Sequence, residues 1–315
     1  MHDSIAIRDA YGIALRELGE ENPLVAVLEA DVGSSSKSLL FGQRFPERYF
    51  NVGIAEMNMV AMAAGFAAQG MIPFVNTFSV FMSTRGADPM QSLICYDALN
   101  VKLAGTYCGL SDSYDGASHH AITDLAFVCA LPNMTVLSPC DAVQAGWAVR
   151  EAARLKGPVY LRLSRAEAAN IYPEGTAFTA GRGVLLREGT DVTIVATGTL
   201  VKAALDAAGI LLESGLSADV IDMHTIRPLD ESLLLKSAQK TGKVVVAQEH
   251  SIHGGLCGLV QSCLGRYFPV PVRAVGVEDF AESGDYRALL GKYGLDADSL
   301  VRSCKEIIRT HGGRK

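Results

Sequence analysis

The sequence lacks several features that would decide its functional class at once. It has no run of lysine and arginine residues, and its formal net charge is -6, which argues against nucleic acid as its ligand. No apolar run reaches about 18 residues, the length of a membrane-spanning helix. The opening stretch MHDSIAIRDA is too polar for a signal peptide. We therefore expect a cytoplasmic protein that binds neither nucleic acid nor membrane.

Cysteine is present but follows no pattern. The sequence has seven cysteines and no CxxC motif; they are Cys95, Cys108, Cys129, Cys140, Cys257, Cys263 and Cys304. An odd number without an export signal indicates reduced, mostly structural thiols. The missing ligand spacing also argues against a zinc site, so we predict no metal ligand in this chain.

The 315 residues are 49% hydrophobic and 20% charged, enough for two domains with separate cores. Short apolar runs without a two-residue period occur at 24–28, 72–75, 101–106, 135–137 and 159–163. Helical segments such as 142–155 separate them. This alternation predicts an α/β fold, in which helices cover both faces of a parallel sheet.

The periodicity fails near residue 170, where prolines and glycines interrupt the chain. We predict a first domain over residues 1–172, a linker over 173–186 and a smaller α/β domain over 187–315. In the second domain, DVTIVATG, ADVIDM, KVVVAQEH and VRAVGV are predicted strands. Residues 200–212, 230–239 and 256–264 are predicted helices.

One acidic residue, Glu56, stands in the otherwise uncharged segment FNVGIAEMNM. Residues 50–54 resemble a short strand and residues 55–68 a helix rich in Ala and Met. A carboxylate in such surroundings costs free energy unless it has a partner or a chemical role. Taken alone, Glu56 is better explained as a helix N-terminal acid stabilised by the helix dipole.

Several further side chains follow predicted strands, and ligands bind at the carboxyl ends of parallel strands. The loops concerned contain EADVGSSSKS, NTFSVFMSTR, GLSDSYDGASHH and the dipeptide SR after residue 163. Each residue alone has a plain structural explanation, as a core aromatic, a turn residue or a surface charge. Their joint occurrence favours a binding site. The residues are Phe78, Phe81, Asp115, His119, His120 and Arg165.

Six motifs occur in a familiar order: NVGIAEMNM, TFSVFMSTR, DGASHH with ITDLAFVCALPNMTVLSP, GPVYLRLSR, IRPLD and EHSIHGGL. Over essentially its whole length the chain resembles the C-terminal half of transketolase. The first domain is similar to the pyrimidine-binding domain of thiamine-diphosphate enzymes, and the second to the transketolase C-terminal domain. The resemblance implies a transferase that moves a two-carbon ketol unit from a ketose or ketose phosphate to an aldose.

The resemblance also implies residue roles toward the cofactor, thiamine diphosphate. Glu56 would be the carboxyl group that hydrogen-bonds the aminopyrimidine, in an apolar pocket that raises its pKa. Phe78 and Phe81 match positions that pack on the pyrimidine ring, and Asp31 and Val32 match a loop that approaches the cofactor. These residues form the predicted cofactor site.

Other positions match the substrate site of transketolases. His119 aligns with an active-site histidine, and Asp115 with a carboxylate that binds a sugar hydroxyl. Arg8, Ser35 and Arg165 fall where the family holds a sugar phosphate. Tyr107 replaces the usual histidine of that site, which leaves open whether the anion is phosphate or another group. His120, His250 and His253 receive no role.

The family's GDG motif, which supplies diphosphate and metal ligands, is absent from the sequence. The resemblance therefore implies a split transketolase. A separate N-terminal subunit would carry GDG and hold Mg²⁺ or another divalent cation, and the two kinds of subunit would form an α2β2 assembly. Two alternatives stay open. One is the β subunit of a 2-oxo-acid dehydrogenase E1 component, and the other is a non-catalytic partner subunit that has kept the fold.

Overall fold

The computed structural model describes residues 4–311. It contains two main sheets and a two-stranded ribbon. The strands in chain order are β1 (Ser4–Ala6), β2 (Val25–Glu29), β3 (Tyr49–Asn51), β4 (Ile72–Phe78), β5 (Lys102–Thr106), β6 (Thr135–Leu137), β7 (Val159–Leu163), β8 (Glu167–Ala169), β9 (Val184–Arg187), β10 (Val192–Ala196), β11 (Ala218–Asp222), β12 (Thr225–Arg227), β13 (Val244–Ser251) and β14 (Val272–Val277).

Helices connect most of these strands. In chain order they are α1 (Ile7–Glu21), α2 (Gly33–Ser36), α3 (Leu39–Arg44), α4 (Glu56–Ala68), α5 (Ser79–Thr84), α6 (Ala87–Pro89), α7 (Asp124–Ala130), α8 (Ala142–Arg154), α9 (Leu200–Glu213), α10 (Glu231–Thr241), α11 (Gly255–Tyr267), α12 (Tyr286–Lys292) and α13 (Ala297–His311). Short 3-10 turns cover Pro46–Arg48 and Gly116–Ser118, and a π-helical turn covers Met90–Cys95.

The first sheet has the order β12-β6-β7-β5-β4-β2-β3. All of its pairs are parallel except β12 with β6. Every residue of β2, β4, β5 and β7 is buried, because helices cover both faces. Burial on both faces explains the continuous apolar runs of the sequence. The carboxyl ends of these strands lie at one edge of the sheet.

The second sheet has the order β14-β13-β10-β11-β9, with only the β11–β9 pair antiparallel. Helix α9 packs on it, and α13 packs on α9. The two sheets are not independent, because β12 lies beyond β11 in the chain but pairs with β6 of the first sheet. The ribbon joins β1 to β8 in antiparallel register.

The predicted α/β class is confirmed, and the predicted strands and helices lie close to the observed ones. One predicted strand is displaced: residues 50–54 were expected to be extended, but β3 ends at Asn51. Gly53 has a φ of +74°, which turns the chain before α4 begins. Strand β9 begins at Val184, inside the predicted linker 173–186, and α12 and α13 were not predicted.

Local capping and burial agree with the sequence. The side chain of Asp141 accepts a hydrogen bond from the Gln144 N–H at 2.8 Å, so Asp141 is the N-cap of α8.

All seven cysteines are buried and free, and burial raises the pKa of the Cys129 and Cys304 thiols to about 12. Such thiols are poor nucleophiles. Across residues 4–311, no helix has the length and apolar character required to span a membrane.

Candidate functional site

The loops at the carboxyl edge of the first sheet bring most of the predicted site residues into one region. Phe78 is the last residue of β4, Tyr107 is the first residue after β5, and Arg165 is the second residue after β7. Arg8 lies in the first turn of α1, whose N–H at Arg8 donates to the Ser164 carbonyl at 3.2 Å. The parallel register of the sheet, rather than sequence proximity, makes these side chains neighbours.

Aromatic rings form the centre of the site. The rings of Phe78 and Tyr107 stack with centroids 4.3 Å apart and an interplanar angle of 25°. Phe81 also stacks with Phe78, with ring centroids 5.8 Å apart and an interplanar angle of 28°. The His119 imidazole meets Phe78 and Phe81 edge-on at 6.2 and 5.2 Å. These contacts form an apolar aromatic cluster with the His119 imidazole at its margin.

Glu56 is the first residue of α4 and is almost completely buried. Its Oε1 accepts a hydrogen bond from Nη1 of Arg85 at 3.0 Å, and the Arg85 guanidinium carbon lies 4.0 Å from the Phe81 ring centroid. This contact gives the buried carboxyl group of Glu56 a cationic partner, one of the conditions under which its burial is not costly.

Two arginines flank Tyr107. The guanidinium carbon of Arg8 lies 5.1 Å from the centroid of the Tyr107 ring, and that of Arg165 lies 5.3 Å from it. Arg8 Nη1 donates to the Tyr107 hydroxyl and, at 3.2 Å, to the backbone carbonyl of Ser35. Ser35 therefore contacts Arg8 through its main chain, whereas the sequence suggested a role for its hydroxyl. Tyr107 has a φ of +58°, an uncommon backbone conformation for a bulky residue.

A carboxyl group that sequence reasoning did not single out faces this pair. Asp112 is completely buried, and its Oδ1 lies 3.4 Å from Arg165 Nη1. Burial, together with the charge of Asp115 and a hydrogen bond to it, raises the pKa of Asp112 to about 7. Possible ligand atoms of Asp112, Asp115 and His119 lie within 4.8 Å of one another. Because Arg165 already opposes this acidic group, we assign no metal there.

Asp31 and Val32 follow β2 at the same edge. Asp31 is exposed, has a φ of +61° and accepts a hydrogen bond from Asn51 Nδ2 at 3.0 Å. The Val32 N–H donates to Glu29 Oε2 at 2.9 Å, and the Val32 carbonyl accepts from the Ser35 N–H at 2.9 Å. Burial raises the pKa of the Glu29 carboxyl. This loop thus adjoins the Ser35–Arg8 contact but gives no direct contact to Glu56 among the interactions of the described residues.

The three unassigned histidines differ in their surroundings. His120 is buried, and burial lowers its pKa. His250 is buried too: its Nε2 accepts from the Ala126 N–H at 3.2 Å, and its Nδ1 lies 2.8 Å from the Ser251 carbonyl. Burial lowers its pKa. His253 is exposed. The contacts of His250 give it a structural role between the two halves of the chain.

Sequence reasoning missed three residues of this region. Arg85 follows Phe81 by four positions, a helical spacing that could have placed both on one face. Asp112 lies inside the quoted loop GLSDSYDGASHH but carried no separate signal. Glu249 of β13 opens the quoted motif EHSIHGGL but received no separate role. Its carboxylate accepts from the Leu110 N–H at 2.6 Å, the Thr199 hydroxyl at 2.8 Å and the Tyr286 hydroxyl at 2.7 Å.

Comparison with protein families identifies both halves of the chain. Residues 3–170 match the family described as the transketolase pyrimidine binding domain. Residues 181–300 match the transketolase C-terminal domain. Together these matches leave residues 171–180 and 301–315, and the first two residues, unmatched, and they agree with the α/β architecture of the two sheets.

Individual relatives match over nearly the full chain. A protein of Clostridium sp. named 6-deoxy-6-sulfo-D-fructose transketolase subunit SqwH is 41% identical, over 96% of this chain and 94% of its own length. A Methanocaldococcus jannaschii protein, "Putative transketolase C-terminal section", is 40% identical, over 96% of both chains. A solved structure described as "Split gene transketolase, inactive beta4 tetramer" is 46% identical with a TM-score of 0.89, covering 97% of this chain and 98% of its own.

Proposed function

This chain belongs to the transketolase family, and from that premise we propose that it is the C-terminal subunit of a split, thiamine-diphosphate-dependent transketolase. The complex would move a two-carbon ketol unit from a ketose to an aldose acceptor. The observation that carries the proposal is the single array at the edge of the first sheet. Glu56, Arg85, Phe81, Phe78, Tyr107 and Arg8 contact one another in succession along it.

The residues on one side of this array suit the pyrimidine half of the cofactor. Phe78 and Phe81 offer a flat apolar surface to a heteroaromatic ring, and Glu56 offers a buried carboxyl group to a basic ring nitrogen. When bound, thiamine diphosphate supplies the electron sink that ketol transfer needs. Glu56 would then hold or release a proton at its carboxyl oxygen, with Arg85 displaced or retained as its partner. Asp31 and Val32 would border the same site.

The other side of the array suits a sugar with an anionic end. His119 and Asp115 can hydrogen-bond sugar hydroxyls, since an imidazole and a carboxylate both pair with polar O–H groups. Arg8 and Arg165 bring two guanidinium groups to the Tyr107 ring, and the Ser35 segment holds Arg8. The relative named for a sulfonated ketose supports an anionic substrate end that need not be phosphate.

A partner subunit is the second part of the proposal. The sequence has no GDG motif, and the M. jannaschii relative is named as a C-terminal section. The solved relative is described as an inactive β4 tetramer, which supports the need for another polypeptide. We propose that an N-terminal subunit carries GDG, holds the diphosphate through Mg²⁺ and completes an α2β2 assembly in the cytoplasm.

The exposed apolar surface next to Glu56 also supports the proposal of a partner subunit. Ile54 is 76% exposed and Met57 is 55% exposed, although both flank a buried carboxylate. Large apolar side chains beside a candidate site are expected to be covered when the site is complete. A subunit seated there would place its ligands close to Glu56 and Phe81.

The test is reconstitution with the GDG-bearing subunit. Mixed subunits, thiamine diphosphate and Mg²⁺ should transfer a ketol unit from xylulose 5-phosphate to an aldose phosphate, or from a sulfonated ketose, and neither subunit should do so alone. Oxidation of pyruvate with a lipoyl acceptor would instead identify a 2-oxo-acid dehydrogenase subunit. If mixing gives no cofactor-dependent turnover of any kind, the chain is a non-catalytic partner.

Calorimetry on the isolated chain provides an independent check of the split site. We expect no tight, Mg²⁺-dependent binding of thiamine diphosphate to this chain alone, because the diphosphate ligands belong to the partner. Tight binding without the partner would contradict the shared site even if the mixed subunits were active.

A further inference from the structure

We propose that the anion pocket of this chain, formed by Arg8 and Arg165 beside Tyr107, prefers substrates with a singly charged terminal group, such as a sulfonate or carboxylate, over those with a phosphate dianion. Asp112 sets this preference. The inference rests on the proposed function and specifies its substrate class. Asp112 acts here as a specificity-determining residue, since it faces the arginines that would bind the anion.

The geometry places a negative group inside a positive pocket. Arg8 and Arg165 both lie beside the Tyr107 ring, with guanidinium carbons 5.1 and 5.3 Å from its centroid. Asp112 is completely buried and lies 3.4 Å from Arg165 Nη1. Solvent therefore screens this carboxyl group poorly, and its charge acts directly on any anion that Arg165 binds.

The charged and titratable groups around Asp112 come from several elements. Arg8 belongs to α1 and Arg165 follows β7, while Asp115, His119 and His120 belong to its own loop. Burial lowers the pKa of His120, so it adds no positive charge at neutral pH. The guanidinium groups of Arg8 and Arg165 thus face the carboxyl groups of Asp112 and Asp115.

The protonation of Asp112 and Asp115 sets the net charge of the anion pocket. Burial and the neighbouring Asp115 raise the pKa of Asp112 to about 7. With one proton on the pair, the two arginines face a single negative charge, and the pocket has one positive charge to offer. With both carboxyl groups ionised, it has none. A second negative charge on the ligand is therefore not matched near neutral pH.

The ligands differ in the corresponding way. A phosphate monoester has a second pKa of about 6 and is mainly a dianion at neutral pH. A sulfonate or carboxylate carries one charge. Electrostatic mismatch of this kind discriminates between ligands without changing the attractive contacts. The Arg8 Nε–H, which is buried and has no hydrogen-bond partner among the described residues, leaves a donor for such a group.

The experiment compares ketose donors that differ only at the terminal carbon, which carries sulfonate, phosphate or a free hydroxyl. The reconstituted complex is used, and kcat and KM are measured separately. At about pH 8, where the phosphate is fully ionised, we expect the sulfonate to have the higher kcat/KM. In Asp112→Asn the phosphate-to-sulfonate ratio of kcat/KM should rise about tenfold, through KM, because one opposing charge is removed. Asp206→Asn, an exposed change on α9, is the matched control and should leave the ratio unchanged.

The wild-type complex gives a second readout that needs no substitution. As pH rises from about 6 to about 8, ionisation of Asp112 should lower the phosphate-to-sulfonate ratio. Asp112→Asn should largely remove that decline.

A wild-type preference for phosphate at about pH 8, or equal effects of Asp112→Asn on all three donors, would overturn this inference while leaving ketol transfer established. Absence of turnover with every donor would instead overturn the proposed function, and this inference with it.

Discussion

The carboxyl edges of the two sheets use their polar residues differently. At the first edge, Arg165 is more than a third exposed and its neighbour Asp115 is exposed, so side chains remain accessible around the aromatic stack. At the second edge, Asp222 and Glu249 are buried and bonded within the chain. Asp222 Oδ2 accepts from Gln144 Nε2 and from the Tyr172 hydroxyl, each at 2.7 Å.

Residues at the second edge fix a loop of the first edge through hydrogen bonds. Glu249 accepts from the Leu110 N–H, and the Gly284 N–H donates to the Ser113 carbonyl at 2.9 Å. Both partners lie in the loop that carries Asp112, Asp115 and His119. We call the first the presenting edge, because its polar side chains stay accessible, and the second the supporting edge, because it holds the loop that carries them.

The largest expected effect tests the presenting edge. Glu56→Gln should lower turnover of the reconstituted complex by at least about 100-fold, since a side chain that moves protons contributes about 10²–10⁴-fold. The substitution keeps the shape and a hydrogen-bond acceptor for Arg85, so the midpoint of urea denaturation should change little. Near-normal turnover at saturating thiamine diphosphate would contradict the role of Glu56.

The next prediction tests the supporting edge. Glu249→Ala should destabilise the chain by about 3 kcal/mol, because it leaves the Leu110 N–H and two hydroxyl groups buried without their acceptor. Urea denaturation measures the effect, and Glu249→Gln, which keeps one acceptor oxygen, should lose less. Unchanged stability in Glu249→Ala would show that the two edges do not differ as described.

A pH dependence separates Asp222 from an ordinary surface carboxyl group. Burial raises its folded-state pKa to about 6 from an ordinary value of 3.8. The protonated form therefore favours folding, and this contribution is full below about pH 4 and lost as pH rises through about 6. Relative to Asp222→Asn, the wild-type free energy of unfolding should fall by about 2 kcal/mol between these pH values. A difference that is flat with pH, measured by urea denaturation, would contradict this assignment.

A smaller effect refines the aromatic part of the presenting edge. Phe81→Leu should weaken the response to thiamine diphosphate several-fold, since an offset aromatic contact is worth about 0.5–1.5 kcal/mol beyond burial. The measurement is the cofactor concentration that gives half-maximal activity of the complex. An equal loss in Phe66→Leu, an aromatic residue of α4 outside the stack, would show that the effect is not specific to the site.

The smallest effect belongs to an exposed ion pair outside both edges. Lys202 Nζ lies 2.6 Å from Asp206 Oδ1 in an i,i+4 arrangement, and both side chains are about half exposed. Asp206→Asn should change stability by no more than about 0.5 kcal/mol, because solvent screens such pairs. A larger shift in the midpoint of urea denaturation would show that exposed charges on α9 contribute more to stability than expected.

Much of the first sheet was predictable from sequence. Continuous apolar runs predicted its strands because both faces are buried, and the positions following those strands predicted Phe78, His119 and Arg165 as members of one site. Tyr107 was singled out only by the family resemblance. The pairing of β12 with β6 was not predictable, since a three-residue strand has no pattern of its own. The contact of Arg85 with Glu56 needed the relative placement of α4 and α5.

The sequence by itself determined the α/β class, the positions of the buried strands along the chain and the loops in which polar side chains would gather. These follow from short-range patterns of hydrophobicity and from the geometry of parallel strands. Only the tertiary structure decided which charges meet: Arg85 with Glu56, Asp112 with Arg165, and Glu249 with the loop at Leu110. The reason is physical, because the free energy of a buried charge depends on partners that are distant in the chain and are brought close by packing.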